Sequence, residues 1–225
     1  MSATILAIDT STQGIGLALY DGVLVISESV WFSHNRHTVE LAPAVKNIIT
    51  KAAITINDLG AVAVSMGPGS FTGLRIGMGL AKGLCLANHL PLIGIPTLDV
   101  LAIAQPVLNV PMAAILQAGR RRLAVGWYRA VSGKWEATGE LEVLTSQELS
   151  KRIKTHTYIC GELSPEDQRI LRRKHKKAML ATPAQSLRRP GFLAELAWER
   201  WQAGNVDDPA DLSPIYLHQH EPIPG

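Results

Sequence analysis

The stretch that most narrows the fold of this chain runs from Ala61 to Leu86, AVAVSMGPGSFTGLRIGMGLAKGLCL. It opens as an apolar run of strand length that stops at Gly67-Pro68-Gly69, after which Ser70 or Thr72 can cap a helix starting near Gly73. A strand, a glycine-rich turn and a helix leave free backbone N–H groups at the helix N-terminus, a geometry that suits an anion such as a phosphate. No Gly-Lys-Ser/Thr follows the glycines, so this is not a P-loop. Gly73, Gly77, Gly79 and Gly83 all lie inside the helix, where each costs about 0.5–1 kcal/mol relative to Ala. Something must come close to that backbone. It is either the sheet beneath a tightly packed core helix or a neighbouring helix, from this chain or another.

With 225 residues, 47% of them hydrophobic, the chain can bury a proper core as one large domain or two small lobes. It has no run of about 20 apolar residues, and its start, MSATILAIDTSTQ, lacks a basic region followed by a cleavable apolar segment. The expectation is a soluble, cytoplasmic protein without membrane association. Cys85 and Cys160 lie far apart with no Cys-x-x-Cys spacing, which argues for reduced, buried thiols rather than a disulfide or zinc site. The net charge of +3 says little, but Arg169, Arg172, Arg173, Lys174, Lys176 and Lys177 form one basic segment. Such a segment is either a solvated helix face or a contact for RNA phosphates.

The chain opens with a strand pattern over Thr4 to Ile8 that enters Asp9-Thr10-Ser11-Thr12, then Gly14 to Tyr20, an Asp21-Gly22 turn, and Val23 to Phe32. Asp9 ends the first strand, where its carboxylate and the following hydroxyls either hold a metal-bound nucleotide phosphate or cap the turn. Asp9, Thr10, Ser11, Gly67, Gly69 and Ser70 are thus the candidate nucleotide-binding residues, for weak ADP or ATP binding with no cofactor required. Leu41, Val45, Ile48, Ile49 and Ala52 repeat at helical spacing, and Pro43 suits a helix that starts close to Val39 or Glu40. His37 stands four residues before Leu41, which cannot supply a second metal ligand, so no metal site is expected. A short strand over Leu92 to Ile95 and a helix over Leu98 to Ala104 capped by Thr97 complete a β-β-β-α-β-α-β-α order, which suits a mixed sheet with packed helices.

The pattern then repeats. Met112 to Gln117, Arg122 to Ala130 and Trp135 to Leu144 read as strands, Thr145 and Glu148 form a capping box, Thr157 to Cys160 is a strand, and Ser164-Pro165 opens the helix with the basic segment. Thr182 to Pro190 reads as a crossing segment and Leu193 to Trp201 as a helix that stops at Gly204. The expected division is an N-terminal lobe over 1–106 with helix 191–204 packing back on it, a C-terminal lobe over 107–190 and a tail over 205–225, loose from His218 onward.

Asp9-Thr10-Ser11-Thr12, Arg36-His37-Thr38, Gly67 through Gly77, Gly94-Ile95-Pro96-Thr97-Leu98 and Pro214-Ile215-Tyr216-Leu217 together resemble the bacterial TsaB (YeaZ) family, in that family's order and from end to end of the chain. The resemblance implies the two-lobed α/β fold shared by actin, sugar kinases and chaperone ATPases, each lobe a mixed sheet with packed helices. It also implies a role in forming threonylcarbamoyladenosine next to the anticodon of tRNA. The implied role is that of a non-catalytic scaffold, partnered by the related catalytic subunit TsaD, joined by the ATPase TsaE, and reaching tRNA mainly through that complex. His37 followed by Leu41 resembles the non-catalytic branch, since the catalytic relative has a His-x-x-x-His pair. Gln117-Ala118-Gly119, followed by Arg120 and Arg121, departs from the Asp-Ala-Arg common in the family. No Ser-His-Asp order or His-Glu-x-x-His supports peptide hydrolysis. By the resemblance, Leu41, Val45, Ile48, Gly73, Leu74, Arg75, Gly77, Met78, Leu80 and Ala81 form the face that meets TsaD or, in its absence, a second copy of the chain. Arg169, Arg172, Arg173 and Lys176 are the candidate RNA contacts.

Overall fold

The computed structural model describes residues 3–173 and 177–217. Its first sheet is built from β1 (Thr4–Asp9), β2 (Gly14–Tyr20), β3 (Val25–Phe32), β4 (Leu59–Gly67) and β5 (Leu92–Pro96), in the order β3-β2-β1-β4-β5. The first three strands are an antiparallel meander, and β4 and β5 join parallel to β1. Helices α1 (His37–Lys51) and α2 (Phe71–Asn88) make the crossovers, and α3 (Thr97–Ile103) follows β5. The second sheet holds β6 (Met112–Gln117), β7 (Arg122–Val131), β8 (Lys134–Ala137), β9 (Glu142–Thr145), β10 (Thr157–Gly161) and β11 (Ala178–Leu180). Its order, β11-β10-β6-β7-β8 with β9 also on β7, repeats that of the first sheet in reverse. Helices α4 (Ser146–Arg152) and α5 (Pro165–Arg172) flank it, and α6 (Pro190–Gln202) follows β11.

Strand alternation divides the core into four clusters. Leu6 and Ile8 of β1 join Leu41, Val45, Ile48 and Met78 beneath α1 and α2, while Ile5 and Ala7 join Leu193, Ala194 and Ala197 of α6 on the opposite face. In the second sheet Met112, Ala114 and Leu116 pack with Leu98 and Leu101 of α3, and Ala113 and Ile115 pack with Leu149 and Leu171 of α4 and α5. Helices α3 and α6 therefore stand between the two sheets, with α6 packed on β1 and β2. This duplicated arrangement is the two-lobed actin-like fold. No described helix is long and apolar enough to cross a membrane.

Several boundaries differ from the sequence reading. Helix α1 starts at His37, so Pro43 lies inside it rather than in its first turn. The Val39 carbonyl that Pro43 leaves without its helical donor sits on an exposed face, where water can serve it. The first hairpin loop extends to Leu24, because Asp21 Oδ1 accepts from the N–H groups of Val23 and Leu24 at 2.9 and 2.7 Å. The run Trp135 to Leu144 splits into β8 and β9, with Gly139 between them at φ +79°. Thr97 is the first residue of α3, not its cap, since its hydroxyl accepts from Gly67 N–H at 3.1 Å. Strand β11 was not expected from the sequence.

Candidate functional site

A cleft of 1320 Å³ opens between the sheets, lined by the β1–β2 turn, the start of α2, the ends of β6 and β10, and residues 180–188. Asp9 stands at its base, 3% exposed. Asp9 Oδ1 accepts from Ser11 N–H at 2.9 Å and Ser11 Oγ at 2.5 Å, the turn-capping arrangement. Asp9 Oδ2 accepts from Arg188 Nε at 2.9 Å. Arg188 continues with Nη2 donating to Thr12 Oγ1 at 2.5 Å and Nη1 to Glu162 Oε1 at 2.6 Å. Burial alone would push the Asp9 carboxyl up, but the Arg188 guanidinium and the Ser11 hydrogen bonds outweigh it and hold the pKa below its ordinary value. Burial works against the Arg188 charge in the same way, and Asp9 and Glu162 overcome it.

The turn is held from other directions too. Thr10 Oγ1 donates to the Gly73 carbonyl at 2.8 Å, Ser70 N–H donates to the Ser11 carbonyl at 2.6 Å, and His37 Nε2 lies 2.9 Å from the Thr12 carbonyl. Ser70 caps α2, its Oγ accepting from Gly73 N–H at 3.3 Å. The glycine loop meets this chain's own backbone. A Cβ on Gly69 would stand 2.1 Å from the Ser11 carbonyl oxygen, and one on Gly67 2.6 Å from that of Ile215. Asp9, Thr10, Ser11, Gly69 and Ser70 are thus brought together, of which Asp9, Gly69 and Ser70 line the cleft, while Gly67 lies against Ile215 and Thr97; both glycines are explained by contacts within the chain. Gln117 ends β6, the counterpart of β1, and donates to the Glu162 carbonyl at 3.2 Å and to Asp167 Oδ2 at 3.1 Å.

The expected partner face needs correction. Leu41, Val45, Ile48, Leu74, Met78 and Ala81 are buried in the chain's own core, and Leu80 is half-buried against it. Gly73 and Gly77 face Thr10, where an added Cβ would stand 2.2 Å from its carbonyl oxygen and 2.1 Å from its Oγ1. The glycines that open outward are Gly79 and Gly83, with no atom within 4 Å of an added Cβ among the described residues. Phe71 and Leu86 on the same helix are 54% and 67% exposed. Exposed Arg75 lies 4.0 Å over the Phe71 ring and donates to Tyr216 Oη at 3.0 Å, so α2 and the tail share one surface.

In the basic segment Arg169 and Arg173 are exposed and Arg172 lines the cleft. Lys174 and Lys176 lie outside the described residues, as does the tail from His218. Cys85 and Cys160 are free and buried, and burial pushes their thiols up to about 11 and about 12, which keeps both protonated. The sequence reading missed Arg188 and Glu162. The one signal was the Arg188-Arg189 pair immediately before the Pro190 that opens α6.

A family model described as TsaD, tRNA N6-adenosine threonylcarbamoyltransferase, matches residues 32–159. The tRNA threonylcarbamoyladenosine biosynthesis protein TsaB of Bacillus subtilis (strain 168) is 31% identical over 222 residues, 97% of this chain and 95% of that protein. The protein of that name from Escherichia coli (strain K12) is 42% identical over 99 residues, 44% of this chain and 42% of its own length. YeaZ from Pseudomonas aeruginosa superposes with a TM-score of 0.78 at 24% identity, covering 96% of this chain and 100% of that one, and so shares the fold. Since the family model spans more than half of the chain and the Bacillus relative aligns along nearly all of it, the chain belongs to the TsaB (YeaZ) family.

Proposed function

We propose that this chain is a non-catalytic subunit that supports threonylcarbamoyl transfer to the adenosine next to the anticodon of tRNA. Involvement in tRNA threonylcarbamoyladenosine biosynthesis follows from family membership. In the finer reading, the chain docks on a TsaD-type catalytic subunit through the outward face of α1 and α2, TsaE joins the assembly, and tRNA is reached mainly through it. The same face supports a homodimer when TsaD is absent, and the reading needs no cofactor.

The observation that carries this reading is the pair Gly79 and Gly83, which open to space on the outside of α2. Each weakens the isolated helix by about 0.8–1.0 kcal/mol relative to Ala, and no contact among the described residues requires it. A helix of a partner can approach such a backbone closely, with Leu86 adding exposed apolar area beside it. The non-catalytic part is supported by His37, which is engaged with the Thr12 carbonyl, and by Leu41, which is buried where a second ligand one turn on would have to stand.

The test is to mix the chain with the TsaD subunit of its own organism, measure mass in solution, and follow threonylcarbamoylation of tRNA with and without the chain. A 1:1 complex needed for modification is expected from the wild type. Gly79→Leu is expected to keep the fold, checked by its melting temperature, and to lose the complex. A Gly79→Leu chain that assembles and supports modification as the wild type does removes the docking face from α2, and no complex with no effect on modification removes the scaffold reading itself.

A further inference from the structure

Asp9 and Glu162 reach the cleft from different lobes, and the buried Arg188 guanidinium stands between them. It spends Nε on Asp9, Nη1 on Glu162 and Nη2 on Thr12, so one planar cation ties two carboxylates and a hydroxyl. Its backbone is fixed as well. Arg189 pairs with Glu28 of β3, Gly191 N–H donates to Glu28 Oε1 at 2.8 Å, and the Pro190 ring lies 3.2 Å from where a Cβ on Gly16 would stand.

A metal-bound nucleotide phosphate, which the sequence allows at Asp9, does not fit this donor set. Magnesium needs carboxylate oxygens at about 2.0–2.1 Å in near-octahedral geometry. Both Asp9 oxygens already accept hydrogen bonds, and a divalent ion placed there would meet the guanidinium as a like charge. We infer that Arg188 is the resident cation of the cleft: it takes the place of a divalent metal between Asp9 and Glu162, holds the two lobes together, and leaves the cleft to ligands that bind without magnesium. Weak binding of ADP or ATP is compatible with this only as metal-independent binding in the rest of the cleft, where Phe71 and Tyr216 offer aromatic surface. The inference stands apart from the partner face on α2.

The full chain is titrated with manganese, as the probe for a divalent site, under electron paramagnetic resonance, and with ADP in a calorimeter in magnesium or in EDTA. The wild type is expected to show no manganese uptake that Glu162→Gln alters, and magnesium is expected to bring no gain in ADP binding, whether or not ADP binds at all. In Arg188→Met the two carboxylates face each other without a cation, and manganese uptake should tighten at least about tenfold. Arg188→Gln, which keeps an amide donor toward Asp9, replaces it if the methionine variant does not fold. Three results would each overturn the inference: wild-type manganese uptake abolished by Glu162→Gln, an ADP affinity about tenfold or more tighter in magnesium than in EDTA, or an Arg188 variant that binds manganese no better than the wild type.

Discussion

Within α2, Gly73 and Gly77 press against the β1–β2 turn, with Thr10 oxygens 2.2 and 2.1 Å from where a Cβ would stand, whereas Gly79 and Gly83 face open space. At 3.6 residues per turn the first pair shares one side of the helix and the second pair a side about 120° around from it. The inward glycines let the helix backbone reach Thr10, whose hydroxyl donates to the Gly73 carbonyl. They are part of the fold. The outward glycines weaken the same helix and meet no atom of the described residues, and in the proposed function they serve a partner. One residue type in one helix thus reports on two different surfaces, and only the direction of the missing side chain separates them.

The largest expected effect comes from filling the inward side. Gly77→Leu drives a side chain into Thr10 and should destabilise the chain by about 3 kcal/mol or fold it poorly, since overpacking a tight contact forces backbone shifts. The urea midpoint measures this, and an unchanged midpoint breaks the comparison at its first term. A smaller loss follows from acid, which attacks the same turn from the cleft. The Asp9 carboxyl is held below its ordinary value of 3.8, so its pairing with Arg188 stabilises the folded chain fully above that value. The contribution fades as pH falls through the lower folded pKa, while Arg188 keeps Glu162 and Thr12. Urea midpoints of wild type and Asp9→Asn should therefore converge as pH drops from 5 toward 2, and parallel curves would show that Asp9 gains nothing from its charge. Ser70→Ala removes the cap that accepts from Gly73 N–H and should cost about 1 kcal/mol, again read from the urea midpoint.

These residues also show how far the sequence could be read. The strand, glycine turn and helix of 61–86, the capping box at Thr145 and the helix start at Ser164-Pro165 were legible because their signals are local. The duplicated order was legible because strand and helix periods repeat along the chain. The direction of the glycines was not. Leu41, Val45 and Ile48 have the spacing of an apolar helix face, and a face of that kind serves a core or a partner equally well until the sheet beneath it is seen. The Arg188–Asp9 pair was hidden for a different reason, since 179 positions separate its members and nothing in either neighbourhood names the other. Strand β11 escaped because three residues, Ala178–Leu180, are too few to show a period.

The smallest expected effect is the most selective one. Gly83→Ala adds a methyl group to open space on the outer face, and helix propensity alone should stabilise the isolated chain by about 0.8–1.0 kcal/mol. For a chain of this size that raises the melting temperature by about 2–4 °C. The same methyl stands where a partner helix would pass in the proposed docking, so the proposed complex with a TsaD-type subunit should weaken while the monomer gains. Thermal melts of the chain alone and mass measurements of the mixture read these two opposite signs separately. A gain in both would take Gly83 out of any contact, and a loss in the isolated chain would mean that the outward side of α2 is closed within the monomer itself. Opposite signs from one methyl group would distinguish a helix face kept open for a partner from one that is merely poorly optimised.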